Sequence, residues 1–217
     1  MSVIAVVDYG VGNVKSIINA FEHVGANVIL TRETSVILGA DGLVLPGVGA
    51  FSHGMASLEQ YSLIKPINAF VQSGKPLLGI CLGMQMLFSS SDEFGSTKGL
   101  DIIPGKVMKF PRENIEYQKL PHVSWNELSE PKVGAWNETI LNGINEAEDM
   151  YFVHSFIAVP DDKDNILSTT SYSDYIFCST TKKDNIYGCQ FHPETSAESG
   201  LKIIRNFKDI CGRKYND

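Results

Sequence analysis

The sequence predicts an α/β fold: a mixed, mostly parallel central sheet with helices on both faces and β-hairpin additions. Two observations carry this. In the first half, short apolar runs alternate with segments of helical periodicity, the order that gives parallel strands joined by right-handed crossovers. In the second half, strand-like segments follow one another with turn signals between them, as hairpins require. The 217 residues contain no linker, repeat or low-complexity stretch, so 1–217 reads as a single domain.

Val3–Val7 is a continuous apolar run, as expected of a strand buried on both faces. Asn13–Val24 carries apolar residues at 14, 17, 18, 21 and 24, a helical stripe. Gly12 or Asn13 would cap it and Gly25 would end it. Val28–Leu30 and Leu43–Leu45 read as short strands, and Leu63–Val71 as a helix interrupted early by Pro66. Leu77–Ile80 is another buried strand, followed by a helix over Leu82–Phe88. Gly105–Phe110, Val123–Leu128, Tyr151–Val159, Leu167–Tyr172, Tyr175–Thr180 and Ile186–Phe191 are strand-like. Ser199–Ile210 closes the chain as a helix, with Leu201, Ile204, Phe207 and Ile210 on one stripe.

Composition narrows the function. A hydrophobic fraction of 43% and a charged fraction of 20% are ordinary for a globular protein. The net charge of −7 lacks the basic footprint of a nucleic-acid binder. No apolar run approaches the ~18 residues of a membrane span. The stretch Met1–Asp8 has no basic leader region and reads as a first strand, not a signal peptide. The four cysteines (Cys81, Cys178, Cys189, Cys211) form no C-x-x-C pair. A thiolate metal site and a disulfide framework are therefore not expected, and a reducing, cytoplasmic location fits.

The chemistry centres on Gly79-Ile80-Cys81-Leu82-Gly83. A buried strand, a sharp turn with a cysteine at its apex and a following helix make a nucleophile elbow. Glycines on either side leave room for the turn. A cysteine nucleophile needs a base and a group to orient it. His192 sits at a strand end, where open α/β sheets place their sites. Pro193 biases it towards extended geometry, and Glu194 is close enough to orient the imidazole if the backbone turns. Cys81, His192 and Glu194 thus follow triad logic. The thiolate is the reactive form, favoured by a neighbouring imidazolium and a helix N-terminus.

Acyl transfer also needs an oxyanion hole. Leu82 N–H is one candidate donor, and the glycine-rich loop Leu45–Phe51 offers a second through Val48 or Gly49. A buried cysteine alone is usually inert, and glycine-rich loops often only turn the chain. The weight lies in their joint occurrence. His23, His53 and His122 have no evident partner and read as structural or surface residues. Asp8–Asn13 resembles a dinucleotide fingerprint but carries Lys15 at the third glycine position, and no Walker A sequence occurs. No organic cofactor or metal is implied.

Gly79–Gln85 together with His192-Pro193-Glu194 resembles the class I, triad-type glutamine amidotransferases, whose fold matches the one predicted. Asp8–Asn13, Pro46–Gly49, Pro121–Asn126 and Tyr151–Phe156 are similar to the branch of that family that serves as the glutaminase subunit of imidazole glycerol phosphate synthase in histidine biosynthesis. The resemblance implies Cys81 as nucleophile, His192 as general base and acid, and Glu194 as orienter. It implies oxyanion donors at Leu82 and at Val48 or Gly49, and glutamine held by Gln85 and the Ser155 backbone. It further implies a heterodimer with a (β/α)₈-barrel cyclase or synthase subunit that receives the ammonia. Tyr9, Gly10, Asn13 and Trp125 would face that partner. In the family, the loop matching Pro46–Gly49 rests with the oxyanion hole unformed, and a peptide flip couples it to the partner. The Gly-Val-Gly sequence makes such a flip cheap.

Two positions depart from the pattern. Ser124 precedes the tryptophan where glycine is expected, and Thr195 follows His-Pro-Glu where lysine is common. They point to an alternative, a paralogous glutaminase feeding another acceptor such as a surface-sugar precursor. A second alternative is a cysteine hydrolase or peptidase with a similar elbow, against which Gln85 and Pro46–Gly49 argue.

Overall fold

The computed structural model describes residues 2–10, 12–111, 119–173 and 175–213. Val11, within the Asp8–Asn13 loop, lies outside the described residues, as does the end of the single domain read over 1–217. In chain order the elements are β1 (Val3–Val7), α1 (Val14–His23), β2 (Asn27–Thr31), α2 (Thr34–Gly39), β3 (Gly42–Leu45), α3 (Phe51–Gln60), α4 (Ile64–Gln72), β4 (Leu77–Ile80) and α5 (Leu82–Met86). Then follow β5 (Phe88–Ser91), β6 (Thr97–Lys98), β7 (Ile103–Lys109), β8 (His122–Glu127), β9 (Asp149–His154), β10 (Phe156–Pro160), β11 (Ile166–Tyr172), β12 (Tyr175–Lys183), β13 (Ile186–Cys189) and α6 (Ala197–Cys211).

The large sheet runs β2-β1-β3-β4-β13-β12-β10-β7-β5-β6, with β11 paired to β12. From β2 to β13 all pairs are parallel; β12, β10, β7 and β11 extend the sheet antiparallel. Side chains alternate across β1. Ile4 and Val6 pack with Ile17 and Phe21 of α1 and Phe207 of α6, whereas Ala5 and Val7 pack with Ile37, Leu58, Ile67 and Phe70 of α2, α3 and α4. One sheet thus separates two apolar layers, the architecture predicted for it. Among the described residues no helix is long and apolar enough to cross a membrane.

The differences from the sequence reading have local causes. Pro66 does not interrupt α4: it lies in the first turn, where its missing N–H would have no intrahelical acceptor. Helix α5 stops at Met86 rather than Phe88 because the Met86 and Leu87 carbonyls accept from Leu100, Ile102 and Ile103 instead. The strand-like segment Tyr151–Val159 is two strands, not one. It bends at Ser155, so that β9 pairs with β8 in a separate two-stranded sheet while β10 enters the large sheet between β7 and β12. Apolar periodicity reports burial and not the identity of the pairing strand, so the bend leaves no trace in it. Helix α3 was not anticipated. Its Phe-Ser-His-Gly opening is poor in helix formers, but Gly54 lets it lie close against Met86 of α5.

Candidate active site

Cys81 stands between β4 and α5 with φ of 52° and ψ of −109°, a conformation L residues rarely adopt. It is held from both sides: Cys81 N–H donates to Cys189 O at 2.7 Å, and its carbonyl accepts from Gln85 N–H at 3.1 Å. The flanking glycines are required by close approach. A Cβ on Gly83 would lie 1.8 Å from Leu45 O, and one on Gly79 would lie 2.7 Å from Met84 N. The elbow is therefore wedged against the end of β3.

His192 follows β13 and is anchored to β9, its N–H donating to Tyr151 O at 2.9 Å. A single tight turn over Pro193–Thr195 then folds the chain back. It is closed by Thr195 N–H to His192 O at 3.1 Å and Ser196 Oγ–H to His192 O at 2.6 Å. That turn brings Glu194 Oε1 to 2.8 Å from His192 Nδ1, with the carboxylate side chain fully buried. Nδ1 therefore carries the proton donated to Glu194, which leaves Nε2 as the working nitrogen. Among the described residues His192 Nε2 has no hydrogen-bond partner. It nevertheless lies close enough to Cys81 for the two to interact electrostatically. Such bonds often tighten only with substrate present. Burial opposes a charge on the imidazole, but Cys81 and Glu194 outweigh it and hold His192 at about 10.

A cavity of about 900 Å³ opens over this pair. Val48, Gly49, Leu82, Gln85 and Ser155 all line it together with Cys81 and His192. The Pro46–Gly49 loop is held from below: Tyr9 O–H donates to Pro46 O at 2.5 Å. A Cβ on Gly47 would meet that hydroxyl at 2.6 Å and Leu82 Cβ at 2.8 Å. Gln85 is more committed than its sequence role implied. Its Nε2 hydrogens go to Phe156 O at 3.2 Å and Gln190 Oε1 at 2.9 Å, so that among the described residues its carbonyl oxygen is left without a partner.

The four residues expected at a partner surface divide. Gly10 and Asn13 are exposed, and Trp125 is 48% exposed. Tyr9 is a correction: it is 1% exposed and cannot face a partner. Its ring lies in the core and its hydroxyl under the loop, and burial pushes that phenol well up. Trp125 belongs to the outer face of the β8–β9 hairpin, where Val123 pairs with Val153 and Trp125 with Tyr151. The hairpin's inner face carries His122 opposite His154.

Several site residues were not read from the sequence. Glu93 and Lys109 place opposite charges on the cavity wall, beside the 89% exposed Phe94. Glu93 Oε2 also accepts Phe51 N–H at 2.7 Å, fixing the start of α3. His154 lines the cavity, donates Nδ1–H to Phe156 O at 2.8 Å and accepts from His122 at 3.0 Å. Burial, with the neighbouring imidazole of His122, pushes it down to about 3. Gln190, fully buried, lies next to Cys81. Its only signal was a polar residue ending the otherwise apolar segment before Phe191. Cys178, Cys189 and Cys211 are free, buried and away from the cavity. Among the described residues no cluster could hold a metal ion.

The fold and the site together define an α/β protein with a Cys–His–Glu constellation at the carboxyl ends of parallel strands. Residues 5–210 match the family model of glutamine amidotransferase class-I. The chain belongs to that family and is a glutamine amidotransferase. It is 48% identical over 213 residues to imidazole glycerol phosphate synthase subunit HisH 1 of Legionella pneumophila (strain Paris), covering 97% of this chain and 100% of the relative. It is 45% identical over 210 residues to imidazole glycerol phosphate synthase subunit HisH of Geobacter metallireducens, covering 95% of this chain and 98% of the relative. Among solved structures, PurLQS from Thermotoga maritima shares the fold with a TM-score of 0.69 at 20% identity, covering 96% of this chain and 99% of that one. A structure described as glutamine amidotransferase gives 0.69 at 16% identity over 96% and 99% of the two chains.

Proposed function

We propose that this chain is the glutaminase subunit of an imidazole glycerol phosphate synthase, a cytoplasmic enzyme that passes ammonia from glutamine to a (β/α)₈-barrel partner in a heterodimer. The observation that carries the reading is the convergence of Cys81, His192 and the Val48–Gly49 loop on one cavity, in a chain 41–48% identical to HisH subunits over nearly its whole length. Residues 1–217 act as one amidotransferase domain, with no cofactor or metal taking part.

Glutamine enters with its side-chain amide at the elbow. Glu93 and Lys109 line the cavity with the charges that complement an α-ammonium and an α-carboxylate. The Cys81 thiolate attacks the amide carbon, and the oxyanion accepts Leu82 N–H and the N–H of Val48 or Gly49. The C–N bond breaks as His192 Nε2 donates its proton to the leaving nitrogen, giving ammonia and a thioester. Water, losing a proton to Nε2, then attacks the thioester and releases glutamate and the thiolate. Glu194 keeps the imidazole oriented and offsets its charge. The partner docks on the exposed Gly10, Asn13 and Trp125.

The side-chain hydroxyls of Ser124 and Thr195, the two departures from the family pattern, bond to nearby backbone carbonyls. Ser124 Oγ–H donates to Trp125 O and Thr195 Oγ1–H to His192 O. The test is Cys81→Ala. Glutamine hydrolysis should fall by ~10⁴-fold or more, while synthesis by the partner complex on added ammonium continues. Glutamine-supported turnover in that variant would exclude this function.

A further inference from the structure

The Gln190 carboxamide is fully buried between two other polar groups, and its orientation can be read from one end of the chain of contacts. Phe156 O is a backbone carbonyl and can only accept. It lies 3.2 Å from the terminal amide of Gln85, which fixes that end of Gln85 as the NH₂. The same NH₂ lies 2.9 Å from Gln190, so the atom it meets there must be the carbonyl oxygen. The opposite end of Gln190, 3.7 Å from Cys81 Sγ, is therefore its NH₂. Direction runs one way, from the Phe156 carbonyl through two amides to the sulfur.

We propose that Gln190 is a catalytic residue: it donates an N–H to the Cys81 sulfur and stabilises the thiolate, with Gln85 as the positioning residue that keeps the donor end turned towards it. The inference rests on Cys81 being the nucleophile. Thiol and thiolate have different partners here. The S–H of the neutral form faces Val153 O at 4.0 Å, and the anion meets the Gln190 N–H. A buried amide left unpaired is costly, so Gln190 stays in place through the cycle. Hydrogen bonds to charged groups are stronger than those to neutral ones, so this donor favours the anion over the thiol. When His192 Nε2 takes the thiol proton, the sulfur lone pair freed from it gains a fixed donor. The other titratable groups that sense Cys81 are His192 and Tyr9.

The test is alkylation of Cys81 by iodoacetamide in the full chain, without glutamine or partner, followed by mass spectrometry of the Cys81 peptide from pH 6 to 10. It reads the sulfur directly, so it stands whether or not glutamine proves to be the substrate. Gln190→Met keeps an unbranched side chain of similar length and removes the N–H, and should slow alkylation about tenfold at pH 7. Gln190→Glu presents an acceptor to the sulfur and should slow it further. Gln85→Glu, with an acceptor where Gln85 had its NH₂, turns the Gln190 amide around and should also slow it. In each variant the deficit should shrink as pH rises, because alkali forms the thiolate without help. Rates equal to the parent protein, or a deficit the same at every pH, would overturn the proposal. Should the Gln190 variants fail to fold, the Gln85→Glu profile decides by the same criterion.

Discussion

On one side of the cavity, backbone packs on backbone: the elbow, the end of β3 and the Pro46–Gly49 loop meet with no room for a Cβ at Gly83 or Gly47. On the other side, the β8–β9 hairpin packs rings on rings. His122 stacks on Tyr172 with centroids 3.9 Å apart and bonds His154, while Phe110, Phe152 and Phe177 close around them. The first wall is set by sterics and does not depend on protonation. The second is set by neutral, buried imidazoles and does. His192 joins them, its backbone tied to β9 and its ring facing the elbow. The two walls should therefore fail under different perturbations.

The largest effect is expected in the steric wall. Gly83→Ala drives a Cβ into the Leu45 carbonyl and should cost about 3 kcal/mol, measured by urea unfolding. An unchanged midpoint would mean the elbow has slack and the comparison is wrong. The hairpin wall should instead be sensitive to acid. His154 is held at about 3, below its ordinary value, by burial first and by His122 next. The unfolded chain then binds more protons below pH 6.5, so stability falls as pH drops from there towards 3. The loss should be about 3 kcal/mol by pH 4, and His154→Gln should flatten it in the same urea titration.

A smaller effect has the opposite sign. Burial works against the His192 charge, but Cys81 and Glu194 raise the group to about 10. Its contribution is fully present below pH 6.5 and is lost as pH rises through 10. Thermal unfolding should show a fall in Tm over that range, and Cys81→Ala and Glu194→Gln should each remove part of it, with Cys81 the larger of the two raising partners. The smallest effect on stability belongs to the outer face of the hairpin. Trp125→Ala should change unfolding by less than about 0.5 kcal/mol, because the ring is half exposed. It should nonetheless weaken binding of the proposed barrel partner by roughly 30-fold, as loss of a buried aromatic anchor does. A change in Tm without a change in partner affinity would place the indole in the fold and not in the interface.

The two walls also differ in how visible they were beforehand. The elbow could be read because its demands are local. A strand, a tight turn and a close-packed helix within a few residues require glycines at 79 and 83, and those glycines appear in the sequence. His192, Pro193 and Glu194 were legible for the same reason, since a turn within four residues makes the 2.8 Å contact. Tyr9 was placed at the partner surface by the resemblance of Asp8–Asn13, which carries no information about burial. Only the fold shows Pro46 O above it, 37 residues away in the chain. The bend at Ser155 was missed because two polar residues, His154 and Ser155, within a strand-like segment do not by themselves mark a change of sheet.

The sequence alone determined the layered α/β architecture, the sharp turn at Cys81 and the contact between His192 and Glu194. These follow from backbone geometry and side-chain type within short windows. Tertiary structure decided which polar groups finish the site: Glu93 and Lys109 on the rim, the His122–His154 pair behind it, and Gln190 against the sulfur. Gln190 lies 109 residues from Cys81 and its direction is set by Gln85, 105 residues away. Hydrogen bonds across such separations depend on strand order and crossover, and no local periodicity encodes them.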